Sequence, residues 1–220
     1  MVITEIGSDE RRDIVLLHGL WLSPWIMKPL AKRLRRDNFN VHLFGYSTVG
    51  KSPEANSARL AEFITNLDLS NPVDLVAHSL GGLVVLRLLW NHPGIRVGRI
   101  VALGSPFAGS FIACQIARLK IGRWILGQSL PGGLDGGGPD QVPSGKELGV
   151  IAGTCGFGPA WLIPGLKRPH DGTVAVAETH LGGTSDRLKM PLTHMGLILS
   201  ANAVKPVITF LLHGHFSRSK

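Results

Sequence analysis

"VDLVAHSLGGLVVLRLL", residues Val73 to Leu89, is where the fold can be read. Val73 to His78 is an apolar run of strand length, and Leu80 to Trp90 is apolar on nearly all sides, with Arg87 as the exception. The first reads as a buried strand and the second as a largely buried helix. Ser79 stands between them with no residues left for a loop. Serine is a favoured helix cap, and a hydroxyl held up at a sharp bend is also a nucleophile in waiting. Ala77 and Gly81 lie two positions either side of it. Small residues belong there when strand and helix backbones nearly touch, which is the strand–turn–helix elbow G-x-S-x-G with alanine in the first place.

The same alternation extends along the chain. "DIVLLHGL" (13–20), "NVHLFGY" (40–46), "GRIVALGS" (98–105) and "LGVIAGT" (148–154) read as further strands. "RLKMPL" (187–192) reads as a sixth, at a sheet edge because of Pro191. Ser23-Pro24 and Ser52-Pro53 each predict a helix start, serine as cap and proline in the first turn. Val204, Val207, Ile208, Leu211 and Leu212 mark a last amphipathic helix stopped at Gly214. Strands alternating with helices predict an α/β fold, a mostly parallel sheet with helices on both faces, in one domain spanning 1–220. The segment 107–146 breaks the rhythm. Its first half is helical in pattern and its second half is rich in glycine and proline, so it is expected to be an insertion or small cap.

"LLHGLW", "AHSLGG", "LGSPFAGS", "HDGTV" and "LTHMGL" together resemble the α/β-hydrolases, most closely compact bacterial lipases and esterases. The resemblance covers nearly the whole chain. It implies a chain order of serine, acid, histidine, which falls on Ser79, Asp171 and His194. Serine is a weak nucleophile until a base takes its proton, and the base needs an acid to orient it. The resemblance also implies backbone donors for a developing oxyanion at Leu80 and at Leu20, with Trp21 as the fallback for the latter. Trp21, Phe107, Phe111 and Ile112 are expected to line the substrate pocket. The expected activity is cleavage of carboxylic esters through an acyl-enzyme, on a small-molecule or lipid ester. Acyl transfer to another alcohol uses the same groups, and a binding protein on the same fold would lack some of them. His170 and His180 compete with His194, and Glu178, Asp186 and Asp140 compete with Asp171. His78 is expected to pack or bond locally, and His18 to shape the oxyanion loop.

"GYSTVGKS" (45–52) also satisfies the phosphate-cradling pattern of a P-loop. Pro53 argues against it, because it pushes Ser52 away from helical dihedrals where a P-loop starts its helix. No strand ends in an aspartate placed to hold magnesium. No metal or organic cofactor is expected.

Of the 220 residues, 44% are hydrophobic and 17% charged, enough for a core and unlike a disordered chain. The net charge of +8 gathers partly at Lys28, Lys32, Arg33, Arg35 and Arg36, which read as a solvated helix face. No nucleic-acid motif accompanies it, so nucleic acid is not an expected partner. Arg118, Lys120 and Arg123 allow peripheral contact with an anionic membrane surface. Cys114 and Cys155 have no metal-ligand spacing. The polar, acidic start "MVITEIGSDERRDI" has no apolar core of a signal peptide, so the expected location is cytoplasmic.

Overall fold

Successive side chains of a strand point to opposite faces, and here both faces are covered. Val15, Leu17, Leu75, Ala77, Ile100 and Ala102 turn into one apolar layer, and Ile14, Leu16, Val76, Val101, Leu103 and Ile151 into the other. That is why these strands read as continuous apolar runs. In the computed structural model, which describes residues 11–217, the strands are β1 (Asp13–Leu17), β2 (Asn40–Phe44), β3 (Val73–His78), β4 (Val97–Leu103), β5 (Leu148–Gly153) and β6 (Asp186–Met190). They form one sheet in the order β2-β1-β3-β4-β5-β6, with every pairing parallel. β6 is an edge, and it stops at Met190, leaving Pro191 outside the ladder it could not donate to.

Helices α2 (Pro53–Asn66) and α3 (Leu80–Asn91) cover the first layer. The second is covered by α1 (Lys28–Arg36), α6 (Gly196–Leu199) and α7 (Val204–His213), the last ended by left-handed Gly214. Ser52 caps α2 by accepting the Ala55 N–H (3.2 Å). Ser23 does not act as predicted: its side chain caps nothing, and the chain first makes a tight 3-10 turn over Pro24–Met27. The cause is Pro29, which has no N–H to continue a helix begun at Pro24 and is tolerated only in the first turn of one begun at Lys28. The arginines of α1 crowd its last turn, where positive charge suits the helix dipole. Arg33 donates to Leu199 O (2.8 Å) and Arg35 to Val41 O (2.6 Å).

Between β4 and β5 the chain builds α4 (Phe111–Ala117), α5 (Gly122–Leu126) and a glycine-rich turn. Ala113, Leu126 and Leu134 enter the same apolar layer as α2 and α3. Arg87, the charged exception in α3, donates to Gly132 O (2.9 Å) and Gly137 O (3.1 Å), and Trp90 Nε1 donates to Gln141 O (2.9 Å). These bonds fasten the segment to the domain. Among the described residues no helix is long and apolar enough to cross a membrane.

At the far end of the sheet from Ser79, Asp74 is buried, paired with Arg12 (2.7 Å) and accepting the Arg99 N–H (2.7 Å). Burial nevertheless outweighs Arg12 and that amide and pushes the carboxyl up to about 6. The folded protein therefore holds a proton at Asp74 where the unfolded chain, near 3.8, has already released it. Stability from this group is greatest below the unfolded value and is lost as the pH rises towards 6. Asp74→Asn is expected to flatten that decline, seen as a smaller difference in unfolding free energy between mildly acid and neutral urea titrations. A wild-type protein whose stability rises over the same interval, with the variant unchanged, would contradict it.

Candidate active site

β3 ends at His78 and α3 begins at Leu80, so Ser79 alone turns the corner. It does so at φ 54°, ψ −121°, a conformation that costs a non-glycine residue about 1–3 kcal/mol and persists only where the surroundings enforce it. The enforcement is visible. Ser79 N–H donates to Leu103 O (2.9 Å), and its own carbonyl accepts from Gly82 N–H (3.0 Å). A Cβ on Gly81 would lie 2.9 Å from both His18 O and Leu17 Cβ. The strain is not repaid by capping: the Ser79 side chain makes no cap bond to α3. The hydroxyl is left over, and it faces a cavity of about 60 Å³.

Beside that corner, His194 Nδ1 and Asp171 Oδ2 are 2.7 Å apart, both residues buried. The other carboxylate oxygen accepts the N–H groups of Thr173 (2.9 Å) and Val174 (2.7 Å), so the carboxylate cannot rotate. His194 N–H in turn donates to Asp171 O (2.8 Å). The pair sits over the end of β4. A Cβ at Gly104, which has φ 60°, would lie 3.1 Å from both Asp171 Oδ2 and His194 Nδ1. Leu103 thus holds the serine backbone while the next residue makes room for the imidazole and carboxylate. Ser79 Oγ makes no hydrogen bond to protein among the described residues. Such bonds are often long in unliganded sites and tighten around substrate.

His78 does not bond locally, as the sequence suggests. Its Nε2 reaches His194 O (3.1 Å), and the two rings pack with centroids 4.5 Å apart. Full burial holds its pKa well below the ordinary histidine value, so it is neutral and carries one N–H, which the His194 carbonyl accepts.

The turn after β1 supplies the opposite wall. Trp21 N–H donates to Thr48 Oγ1 (3.2 Å). Among the described residues the Leu20 and Leu80 N–H groups meet no protein acceptor, and the latter is one of the orphan donors of a helix N-terminus. The loop 45–52 braces this turn. Tyr46 hydroxyl donates to His18 O (2.6 Å) and its ring stacks on His18, Thr48 holds Trp21, and Val49 O accepts Gln128 N–H (2.8 Å). Helix α2 starts only after Ser52, beyond the Gly-Lys step that a P-loop would use.

The profile of the alpha/beta hydrolase family matches residues 14–218. The chain belongs to that family. A Photorhabdus laumondii protein named pimeloyl-[acyl-carrier protein] methyl ester esterase is 31% identical over 102 residues, 45% of this chain and 39% of the relative. The match therefore spans well under half of that curated relative. Among solved structures, the mature form of the Bacillus licheniformis lipase BlEst2 is similar, with TM-score 0.75 at 20% identity over 92% of each chain. Its propeptide form gives 0.77 at 20% identity over 96% of this chain and 52% of that one. A Listeria innocua gene product gives 0.62 at 17% identity over 96% and 97%. At these identities the structural likeness speaks for the fold.

In this alpha/beta hydrolase two of the expected pocket residues, Trp21 and Ile112, line the cavity at Ser79 together with Leu20. Phe107 and Phe111 do not. Phe107 is buried in the core, its ring end 3.2 Å from where a Gly82 Cβ would stand. Phe111 lies one residue, and so about 100° of helix, from Ile112, and lines a separate cavity of about 300 Å³ with Leu166 and Lys167. The pocket face of α4 is instead Ile112, Ala113 and Ile116, closed by Leu126, Leu134 and Val174. Periodicity reveals that such a face exists, and only packing shows which neighbour each residue meets.

The competing acids and histidines are engaged elsewhere. Glu178 spends both oxygens on the N–H groups of Phe111 (2.5 Å) and Ala175 (2.7 Å), and burial raises its pKa. Asp186 accepts the Phe216 N–H (2.8 Å), His170 Nδ1 accepts the Gly172 N–H (3.1 Å), and Asp140 and His180 are exposed. No group of three or more potential metal ligands gathers among the described residues, and both cysteines are free.

Proposed function

We propose that this chain is a serine hydrolase that cleaves carboxylic esters with small acyl groups through an acyl-enzyme on Ser79. The observation that carries the reading is a strained serine with an unused hydroxyl beside a buried imidazole–carboxylate pair. With Nδ1–H donated to Asp171, His194 Nε2 is the basic nitrogen and accepts the Ser79 proton. Oγ bonds to the acyl carbon, and the carbonyl oxygen becomes an oxyanion between the Leu20 and Leu80 N–H groups. One such donor is typically worth about 10²–10³ in rate. As the tetrahedral intermediate collapses, the bond to the alkoxy oxygen breaks and the alcohol leaves with the proton from His194. Water then gives a proton to the same nitrogen, attacks the acyl-enzyme, and releases the acid with Ser79 restored.

The cavity sets the acyl size. Its volume is about 60 Å³, and its walls at Ile112, Ile116, Leu126 and Val174 are apolar. That suits acyl groups of about two to four carbons. The Photorhabdus relative is named for cleaving a methyl ester and the Bacillus structures for a lipase, and both names fit ester cleavage. A series of p-nitrophenyl esters of increasing acyl length, run with a fluorophosphonate probe, tests the reading. Acetate and butyrate esters are expected to turn over fastest, with one probe molecule bound at Ser79. Absence of both turnover and label would sink the hydrolase reading, and a maximum at long chains would sink the small acyl pocket.

A further inference from the structure

Large apolar side chains gathered in the open on a protein surface mark a place where something binds. Trp124 is 83% exposed, Phe157 83%, Trp161 90% and Leu162 82%. They stand on two segments that each attach to the wall of the Ser79 cavity. The first, 118–126, contains α5. Its last residue, Leu126, lines the cavity, and Ile125 O accepts the Trp21 indole N–H (3.1 Å). The second, 157–163, follows β5, and its Ala160 and Ile163 pack against the buried cluster of Ile112, Leu166 and Ala175. Because Ile112 also lines the cavity and α4 contacts α5, α4 ties both segments to the cavity wall.

The charges of this rim are of one sign. Residues 111–130 and 151–170 contain no aspartate or glutamate, yet carry Arg118, Lys120, Arg123, Lys167 and Arg168. All five are exposed, and none forms a salt bridge among the described residues. Aromatic and aliphatic tips interleaved with unpaired cations match the boundary of an anionic bilayer, where phosphates neutralise the cations and the rings settle at headgroup depth. With no helix able to span among the described residues, the association proposed is peripheral.

We propose that this rim docks the protein on anionic phospholipid surfaces, with the mouth of the Ser79 cavity turned towards the lipid. The proposal extends the ester-hydrolase reading by giving that mouth a substrate-bearing surface. Only the reacting end of an ester then has to fit the small cavity, while the rest of the molecule stays against the rim. Its test does not depend on catalysis, because binding is measured with Ser79→Ala protein. That protein is expected to sediment with phosphatidylcholine–phosphatidylglycerol vesicles and not with pure phosphatidylcholine, with a blue shift of tryptophan emission and release by salt. Reversing Arg118, Lys120 and Arg123 together to glutamate should weaken the partition by roughly a hundred-fold or more. The double variant Trp124→Ala, Trp161→Ala should weaken it by about ten-fold or more, while leaving hydrolysis of a soluble short ester by the Ser79 protein unchanged. The proposal fails if the protein stays in the supernatant with anionic vesicles or binds neutral ones equally well. Binding that ignores the tryptophan substitutions would assign it to the net charge alone. Equally tight, tryptophan-independent binding to polyglutamate would indicate an acidic protein partner instead, and either result overturns lipid docking.

Discussion

Ser79→Ala is expected to lower kcat/KM towards a short p-nitrophenyl ester by about 10⁴- to 10⁶-fold. The remainder would come from the Leu20 and Leu80 amides, which still hold the substrate carbonyl and favour its attack by water. Alanine keeps the Cβ and the same demand for φ 54°, so the variant should melt where the parent does. Ser79→Gly separates activity from folding further. Glycine enters this conformation without steric cost, so that variant should be equally inactive yet no less stable. Thermal melts beside Michaelis curves on both variants make the distinction. A Ser79→Ala protein that retained ordinary turnover would remove the acyl-enzyme from the mechanism.

Asp171→Asn is expected to lower kcat by about 10⁴-fold with little change in KM or fold. The reason lies in the geometry of one carboxylate. Thr173 and Val174 both donate to Oδ1, so an asparagine must keep its carbonyl oxygen there and place its NH₂ where Oδ2 now faces His194 Nδ1. An NH₂ cannot accept, so Nδ1 must, and the imidazole proton moves to Nε2. The ring then offers Ser79 a donor where it needs a base. Labelling by fluorophosphonate should slow in step with kcat. An Asp171→Asn protein of near-normal kcat would show that His194 is not oriented through this contact.

The serine–proline starts show how far local patterns reach. Ser52-Pro53 caps a helix as read, because α2 follows without another proline and Ala55 offers its N–H. Ser23-Pro24 carries the same signal and caps nothing, because Pro29 interrupts the ladder a turn later. The strands were legible because burial on both faces leaves an unbroken apolar run, and the edge position of β6 because Pro191 cannot join a ladder. In the candidate site, the elbow at Ser79 was legible from Ala77 and Gly81 since close backbone approach excludes larger side chains. Asp171 and His194 were legible through a family likeness. Nothing in their spacing required a 2.7 Å contact.

Other parts of the site had no local signal. His78 looked like a neighbour of the serine and instead grips the backbone of His194, 116 positions away. Gly104 and Gly153 stood unremarked inside the stretches 98–105 and 148–154 that read as strands. A Cβ at the first would stand 3.1 Å from the imidazole and carboxylate, and one at the second 2.7 Å from Asp171 Cβ. Thr48, inside a stretch that mimics a phosphate loop, holds the Trp21 amide.

By itself, then, the order of residues determined the alternation of strand and helix, the two-sided burial of the sheet, and the corner at which Ser79 stands. Each follows from periodicity or steric exclusion among neighbours in the chain, forces that act over a few residues. Which groups face the Ser79 hydroxyl, which amides stay unpaired and how small the cavity is were decided only when the loops after β1, β4, β5 and β6 converged at one end of the sheet. Those are contacts between remote segments, and a parallel sheet creates them because all its strands end on the same side.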